Sequence, residues 1–260
     1  YYIQNPDPDI LEAHIYNLAE STFNWGGGEP SVTSENTEKT QIIVKEAVPK
    51  GKITILKTDE EGTVLPEGKF EIRACQAIYS ASGNLLVNAN EVADVLQTDE
   101  KGIAVSKELY MGEYKVKEIM PPSGYTLNHE VKESKISVAE PEAMVSFKDK
   151  QTYMRIKKVS ETEKNEGERK GIAGVGFLLW EEGIQDPAKA VVTDENGLIE
   201  LKGLVPGTYC LQEQYVPSGY VKDDTIRNFT VDENGLVDNE YGYTMEIENR
   251  YTKAEFLKTD

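Results

Sequence analysis

Short stretches in which apolar and polar residues alternate follow one another along most of the chain. Ile53 and Ile55 alternate with polar residues in one such stretch, and Tyr114 and Val116 do so in another. An alternation with a period of two places the apolar side chains on one face of a β-strand. Turns rich in Gly, Asp and Asn separate the stretches, and almost no helical period occurs beyond Lys52. The pattern therefore predicts an all-β protein made of antiparallel β-sandwiches.

The order of the predicted strands repeats, which indicates tandem domains. An opening strand at Lys52–Asp59 recurs at Met154–Ser160 and begins again at Ala254–Asp260. We expect a first unit at residues 49–150, a second unit at residues 151–250, and the first strand of a truncated third repeat at residues 251–260. Each complete unit contains a second strand, a glutamate-bearing strand and a closing strand: Lys69–Arg73, Tyr114–Glu118 and Met144–Asp149, then Val175–Trp180, Tyr209–Glu213 and Thr244–Asn249. Residues 76–96 are an insertion in the first unit, for which we expect an extra hairpin or a short helix.

Residues 1–48 form a separate region whose pattern is ambiguous. Ile10–Leu18 has apolar residues at helical spacing after an Asp-Pro pair, which favours a helix with an N-cap; a strand pair is the alternative. Residues 26–40 are rich in Gly, Ser and Thr and predict a loop, whereas Gln41–Glu46 predicts a strand. Val48–Gly51 is typical of a linker. The region is expected to be the end of a preceding domain or a partial one.

Polar residues that lie in phase with apolar ones are the candidates for chemistry. In each unit, a lysine lies on the apolar face of the opening strand, near its end. A glutamate lies on the apolar face of the strand in the middle of the unit, and an Asp or Asn lies on the apolar face of the closing strand. Three polar side chains that face one core are costly unless they meet. The two predicted sets are Lys57, Glu118 and Asp149 in the first unit, and Lys158, Glu213 and Asn249 in the second.

Such a set, once buried, can form an amide. Burial favours a neutral lysine amine, which is a nucleophile, and a protonated glutamate, which can polarise the Asp or Asn carbonyl and move the proton. The fold replaces a bimolecular encounter with an effective molarity of about 10⁵ M or more. The product is an isopeptide bond from the first strand to the last, with loss of water from Asp149 or ammonia from Asn249. Lys158 rather than Lys157 keeps phase with Ile156, and Lys258 has no acceptor within this sequence.

The repeated motifs resemble those of the Cna B-type, or SpaA-like, domains of Gram-positive surface proteins and pilins. Tyr114-x-Val-x-Glu118, followed by Pro-Ser-Gly-Tyr, and its second copy ending at Glu213 are similar to the E-box of that family. Lys57-Thr-Asp resembles its lysine motif, and Ile-Glu-Asn249 its closing strand. The resemblance covers about residues 49–250. Ile119 and Gln214 depart from the Thr that often follows the E-box glutamate.

The resemblance implies tandem transthyretin-like sandwiches, each closed by an isopeptide bond. Lys57 and Lys158 would be the amine donors, Asp149 and Asn249 the acceptors, and the two E-box glutamates the catalytic acids. The implied role is a stalk or adhesin region of an extracellular, cell-wall-attached protein. Its implied partner is a host extracellular-matrix or glycan ligand, and its cell-wall linkage would run through regions outside this sequence. Neither a cofactor nor a turnover enzyme is implied.

Composition narrows the alternatives. The formal net charge of -18 excludes a nucleic-acid partner, because phosphates would repel the chain. No apolar run is long enough to span a membrane. Cys75 and Cys210 fall in different units, so no disulfide within a unit is expected. The Asp-Glu-Asn-Gly sequences at 194–197 and 232–235 lack the spacing of a calcium-binding EF-hand loop and predict hairpin turns.

Two other functions fit the strand pattern. The units could be ordinary sandwiches that bind a ligand, their buried polar sets being unreacted salt-bridge clusters. They could also be accessory domains of a secreted enzyme, although neither the two histidines nor the scattered carboxylates form a recognisable catalytic pattern.

Overall fold

The computed structural model describes residues 48–81, 83–161, 168–184 and 188–252 in full, and otherwise only the backbone of the strands at 2–47 and 162–165. Every regular element in this part of the chain is a β-strand, so the all-β prediction is confirmed. No helix suitable for crossing a membrane is found in the described residues. Ala254–Asp260, including Lys258, lies outside them.

The helix predicted at Ile10–Leu18 is wrong. This segment forms a strand, which pairs antiparallel with a second long strand along eight positions, from Ile10 opposite Ala47 to Asn17 opposite Thr40. The alternative of a strand pair is the one that forms, and the strand predicted at Gln41–Glu46 is confirmed. Leu11, Ala13 and Ile15 also satisfy a period of two, and pairing along the whole segment decides between the two patterns. The N-terminal strands are β1 (Tyr2–Ile3), β2 (Ile10–Asn17), β3 (Ser21–Thr22), β4 (Thr33–Ser34) and β5 (Thr40–Ala47).

The first unit packs two four-stranded sheets against each other. One sheet has the order β10-β7-β13-β14, and the other is built on β6, which pairs with β11, β12 and β15. The strands are β6 (Lys50–Asp59), β7 (Lys69–Ala74), β8 (Ile78–Tyr79), β9 (Leu85–Val87), β10 (Val92–Gln97), β11 (Ile103–Val105), β12 (Leu109–Tyr110), β13 (Gly112–Met120), β14 (Val131–Ile136) and β15 (Glu142–Asp149). Because β6 begins at Lys50, the predicted linker shortens to Val48–Pro49. The insertion contributes the β8–β9 hairpin and no helix.

The second unit repeats this arrangement without the inserted hairpin. One sheet has the order β19-β18-β21-β22, and the other is built on β16, which pairs with β17, β20 and β23. The strands are β16 (Tyr153–Asn165), β17 (Glu168–Gly171), β18 (Gly176–Glu181), β19 (Lys189–Val192), β20 (Leu198–Lys202), β21 (Gly207–Tyr215), β22 (Ile226–Val231) and β23 (Tyr243–Asn249).

The opening and closing strands of each unit are parallel neighbours. β15 pairs with β6 in parallel register, and β23 pairs with β16 in the same way. All the other strand pairs are antiparallel, as the sequence predicts. A parallel pair needs a long connection, and here the whole unit is that connection. The first and last strands of a unit are therefore held side by side.

Each unit has its own apolar core between its two sheets. The first core contains Ile53, Ile55, Phe70, Tyr114 and Phe147, all fully buried. The second core contains Met154, Ile156, Phe177, Tyr209, Leu211 and Ile247, where Leu211 takes the place of Val116. In both units the alternation read from the sequence places these side chains inwards, along with the polar residues that share their phase.

The two units meet at a hydrogen-bonded junction. Thr152 donates its backbone N–H to Gly124 O at 2.9 Å and its hydroxyl to Leu204 O of the second unit at 2.9 Å. A turn of the second unit, Asn234–Gly235, accepts the N–H of Leu127 at 2.9 Å. Hydrogen bonds from Thr152 to both units, together with the bond from Leu127, therefore fix the orientation of one unit relative to the other.

Candidate cross-link sites

Lys57 is held on the inner face of β6 by its side-chain phase and by its backbone. Its N–H donates to Gly102 O at 2.7 Å, and its carbonyl accepts the N–H of Leu65 at 3.0 Å. Gly102 has φ +70, and a Cβ there would lie 2.5 Å from Lys57 O, so the turn requires glycine at this point. Lys158 is held in the same way: its backbone N–H donates to Gly197 O, and its carbonyl accepts the N–H of Ile172.

Glu118 is buried at the end of the inner face of β13. Phe70 of β7 lies opposite it in the antiparallel register, and the side chain has no exposed surface. One of its oxygens, Oε2, accepts the backbone N–H of Asn128 at 2.8 Å. Glu213 occupies the same place in the second unit, opposite Phe177, and its Oε1 accepts the N–H of Asp223 at 3.0 Å.

The three predicted residues of the first unit meet. The Nζ of Lys57 lies 2.7 Å from Glu118 Oε1 and donates a hydrogen bond to Asp149 Oδ1. The parallel register places Phe147 opposite Lys57, so Asp149 lies one inward position further along the neighbouring strand. The Lys57 side chain is completely enclosed, with Nζ 5.4 Å from the centroid of the Phe70 ring. Aromatic rings and strands exclude water from this contact.

The three predicted residues of the second unit meet in the same geometry. The Nζ of Lys158 donates to Asn249 Oδ1 at 2.6 Å and lies 2.8 Å from Glu213 Oε2. The Nδ2 of Asn249 donates to the two Glu213 oxygens at 3.1 and 3.2 Å. Glu213 therefore contacts both the amine nitrogen and the amide nitrogen. Lys157, the competing lysine, has a side chain that is 30% exposed and pairs with Glu168 outside the core.

The electrostatics of the first site favour an extra proton. Burial, followed by the negative charge of Asp149, raises the pKa of Glu118 to about 7, against the influence of Lys57. Burial also raises the pKa of Asp149, against hydrogen bonds from Lys57 and Glu118. Among the described residues, no hydrogen bond reaches Asp149 Oδ2. A buried carboxylate pair with one lysine has an excess negative charge, which a shared proton would remove.

The second site balances its charges without an extra proton. Asn249 is neutral, so one ammonium and one carboxylate would already balance each other there. Burial lowers the pKa of Lys158, and the contact with Glu213 opposes that shift. The two sites thus have the same geometry but differ by one carboxyl group, since Asn249 replaces Asp149.

Several residues that shape the sites were not predicted. Gly102 and Gly197 each end a Thr-Asp-Glu-x-Gly sequence, at 98–102 and 193–197, which predicts only a turn. Nothing else in the sequence marks their contact with the lysine carbonyls. Asn128 and Asp223 were not singled out, although each lies ten residues after its glutamate. That shared spacing was the signal that could have revealed them.

The other candidates have structural roles. Cys75 and Cys210 are free thiols, and Cys210 is buried. In the Asp-Glu-Asn-Gly turns, Asp194 and Asp232 each accept two backbone N–H groups of their own turn. No group of three or more potential metal-ligating side chains is found within the described residues.

Solved structures similar to this chain include a minor pilin and a fragment of a pilus adhesin. The Bacillus anthracis TIE protein is 22% identical over 93% of this chain, with a TM-score of 0.48, and the chain spans 42% of it. GBS52, the minor pilin of Streptococcus agalactiae, is 18% identical over 81% of this chain and 100% of its own, with a TM-score of 0.32. A C-terminal fragment of the pilus adhesin SpaC from Lactobacillus rhamnosus GG is 15% identical over 80% of this chain and 100% of its own, with a TM-score of 0.41. None of the curated proteins compared with this chain matches it.

The sequence matches one protein family twice. The family of the SpaA prealbumin-like fold domain matches residues 51–151 and again residues 153–244, together well over half of the chain. The matches fall on the two repeats that the strand pattern predicts, and the resemblance to SpaA-like domains is confirmed. The chain belongs to the family of SpaA prealbumin-like fold domains.

Proposed function

We propose that each unit closes its own isopeptide bond and that the stapled units form a structural stalk of a Gram-positive surface or pilus protein. One observation carries the proposal: in both units a fully buried lysine, a buried glutamate and a buried Asp or Asn lie in mutual contact on neighbouring strands. Polar side chains without a partner would be costly there, and these three have the composition that amide formation needs.

In the second unit, Glu213 moves the protons. Its Oε2 takes a proton from the Lys158 ammonium, and the neutral amine then attacks Cγ of Asn249. One of the two protons left on the amine stays on the new amide nitrogen, and the other reaches Nδ2 through Glu213. The Cγ–Nδ2 bond breaks and ammonia leaves, so Glu213 ends neutral and buried beside the bond. The 2.8 Å contact with Nζ and the hydrogen bonds from Nδ2 support this route.

In the first unit, the leaving group is water. The reactive state has a neutral Lys57 amine and two protonated carboxyl groups. Nζ attacks Cγ of Asp149, one amine proton passes through Glu118 to the departing hydroxyl group, and Glu118 again ends protonated.

The cross-link would join the first strand of a unit to its last. The bonded residues are separated by 92 positions in the first unit and 91 in the second. Closing a loop of that size stabilises a fold by about 4–5 kcal/mol in the chain-entropy model. Tension applied at the two ends of a unit would pass through the bond between adjacent strands and would bypass the rest of the sandwich.

This chemistry suits a protein that bears load outside the cell. An amide resists reduction, and each carboxyl acts once per molecule, so the units are structural and turn over no substrate. Membership of the SpaA family supports placement at the Gram-positive cell surface. There the stapled units would present a host-matrix-binding or glycan-binding region of the parent protein from the cell wall.

Peptide mapping tests the proposal. Tryptic digestion of the denatured protein should yield the peptide of Lys57 joined to that of Asp149, lighter than their sum by one water. Lys57→Arg should remove this linked species and leave the bond of the second unit intact. Unlinked peptides of full mass in the wild-type protein would mean that the buried sets are salt-bridge clusters, as in the ligand-binding alternative.

A further inference from the structure

A backbone N–H group binds the catalytic glutamate at the same sequence spacing in both units. Asn128 donates to Glu118 Oε2 at 2.8 Å, and Asp223 donates to Glu213 Oε1 at 3.0 Å, each ten residues after the glutamate. In each unit, the other carboxyl oxygen is the one that lies 2.7 or 2.8 Å from the lysine Nζ. In both units the N–H group therefore bonds the oxygen that does not face the lysine.

The side chain of the donor residue fixes the turn that aims this N–H group. Asn128 Oδ1 accepts the N–H of Glu130 at 2.9 Å, and Asp223 Oδ1 accepts the N–H of Thr225 at 2.9 Å. This is the Asx turn, in which an Asn or Asp side chain bonds the backbone two residues ahead. Replacing either side chain with Ala would leave the N–H group in place but remove the bond that orients it.

A second contact anchors each turn beside the reacting groups. In the first unit, Asn128 Nδ2 donates to Lys148 O at 2.8 Å, on the strand that carries Asp149. In the second unit, Arg227 Nη2 donates to Asp223 Oδ2 at 2.6 Å. Partial burial acts to raise the pKa of Asp223, but hydrogen bonds from Thr225 and Arg227 lower it to about 2. The units thus anchor the same turn by different means.

The N–H bond occupies one lone pair of the oxygen that accepts it and lowers the affinity of that oxygen for a proton. Proton exchange is consequently favoured at the oxygen beside Nζ, which in the second unit also accepts a hydrogen bond from the departing Asn249 nitrogen. Fixing the carboxyl plane also removes a rotation that would separate the proton from the amine.

We propose that Asn128 and Asp223 are positioning residues for isopeptide formation: the Asx turn that each begins holds the catalytic glutamate with one oxygen bound and the other facing the lysine. This inference rests on the proposed function and adds to it a residue in each unit that does not touch the reacting nitrogen. It also explains why Asn and Asp can both serve, since each offers the Oδ1 acceptor.

The rate of bond formation in the second unit tests the proposal. The full chain carrying Glu118→Ala, in which only the second unit can react, is synthesised by cell-free translation and quenched in acid at timed intervals. Intact mass then gives the fraction that has lost ammonia. Adding Asp223→Ala should slow that loss about five- to tenfold, the effect of one ordinary hydrogen bond. Asp223→Asn keeps the Asx-turn acceptor and should restore the rate to within about twofold of the parent.

The outcomes separate this inference from the proposed function. If Asp223→Ala reacts as fast as its parent, or if Asp223→Asn is as slow as Asp223→Ala, the positioning role is wrong while the cross-link stands. If the Glu118→Ala parent itself loses no ammonia, both proposals fail. Should circular dichroism show that Asp223→Ala does not fold, Asn128→Ala in a Glu213→Ala background makes the same test on the loss of water in the first unit.

Discussion

Raising the pH should slow cross-linking in the first unit before it slows cross-linking in the second. The reactive state of the first site has a neutral amine and two protonated carboxyl groups, and its net charge is zero. The fully ionised set of Lys57, Glu118 and Asp149 has a net charge of -1, so it holds one proton fewer than the reactive state. The second site reaches the same zero net charge with an ionised Lys158 and Glu213, because Asn249 has no charge.

The pKa of Glu118 sets the size of the effect. Burial and the charge of Asp149 raise it to about 7, so the proton that the first site needs is lost as the pH rises through that value. The protonated fraction falls from about 0.9 at pH 6 to about 0.1 at pH 8, which is a roughly tenfold change. Because Glu118 and Asp149 interact, this titration belongs to the pair of carboxyl groups. The second site needs no such extra proton, because Asn249 carries no charge.

Two single-site chains make the comparison direct. Glu213→Ala leaves only the first unit able to react, and Glu118→Ala leaves only the second. Each is synthesised by cell-free translation, moved into buffers between pH 6 and 8, and quenched in acid for intact mass measurement. The ratio of the first rate to the second should fall about tenfold across this range. A constant ratio, or a first-unit rate that rises with pH, would refute the assignment of the extra proton.

Three further predictions concern stability and geometry. Glu118→Ala should lower the free energy of unfolding of the first unit by about 4–5 kcal/mol in chemical denaturation. The control, Glu113→Ala on the exposed face of the same strand, should change it by less than about 0.5 kcal/mol. Equal effects of the two substitutions would count against the cross-link. Gly102→Ala should destabilise the first unit by more than about 1 kcal/mol, because the new Cβ would lie 2.5 Å from the carbonyl oxygen of the opening-strand lysine. The matched control is Gly62→Ala, since Gly62 also has a positive φ, +91, but a Cβ there would have no neighbour within 4 Å. Gly235→Ala would place a Cβ 2.2 Å from a carbonyl oxygen of the first unit. It should therefore broaden the distribution of distances between spin labels on the two units, whereas Gly62→Ala should not. An unchanged distribution would show that the junction does not depend on this contact.

Side-chain phase predicted most of the fold and all six proposed site residues. Lys57 and Glu118 share a phase with large apolar residues, and a period of two leaves only one face for them. The structure places both side chains in the core because burying the neighbouring Ile55 and Val116 requires it. Repetition in two units made the pattern more specific than any single inward lysine could be.

The parallel pairing of first and last strands could not be read from the sequence. Alternation shows which face of a strand is buried but does not show which strand lies beside it. The pairing depends on how the whole unit folds back, and it is this pairing that places Asp149 within reach of Lys57. The polar positions on the two strands gave the only hint that they would be neighbours.

Local ambiguity explains the error in the N-terminal region. Ile10–Asn17 satisfies both a helical and an alternating pattern, and its partner strand begins more than 20 positions later, at Thr40. The Asx turns at Asn128 and Asp223 were missed for a different reason. Their contribution to the site is a backbone N–H group, which every residue except proline carries, so only the Asn or Asp ten residues after each glutamate could have pointed to it.

The intact mass of the purified wild-type chain is the most direct test of the cross-links. The two bonds together should lower the mass below that of the sequence by one water plus one ammonia. Glu118→Ala should restore the mass of the water, and Glu213→Ala that of the ammonia, apart from the substitution itself. A wild-type chain with the full mass of its sequence would show that neither bond forms.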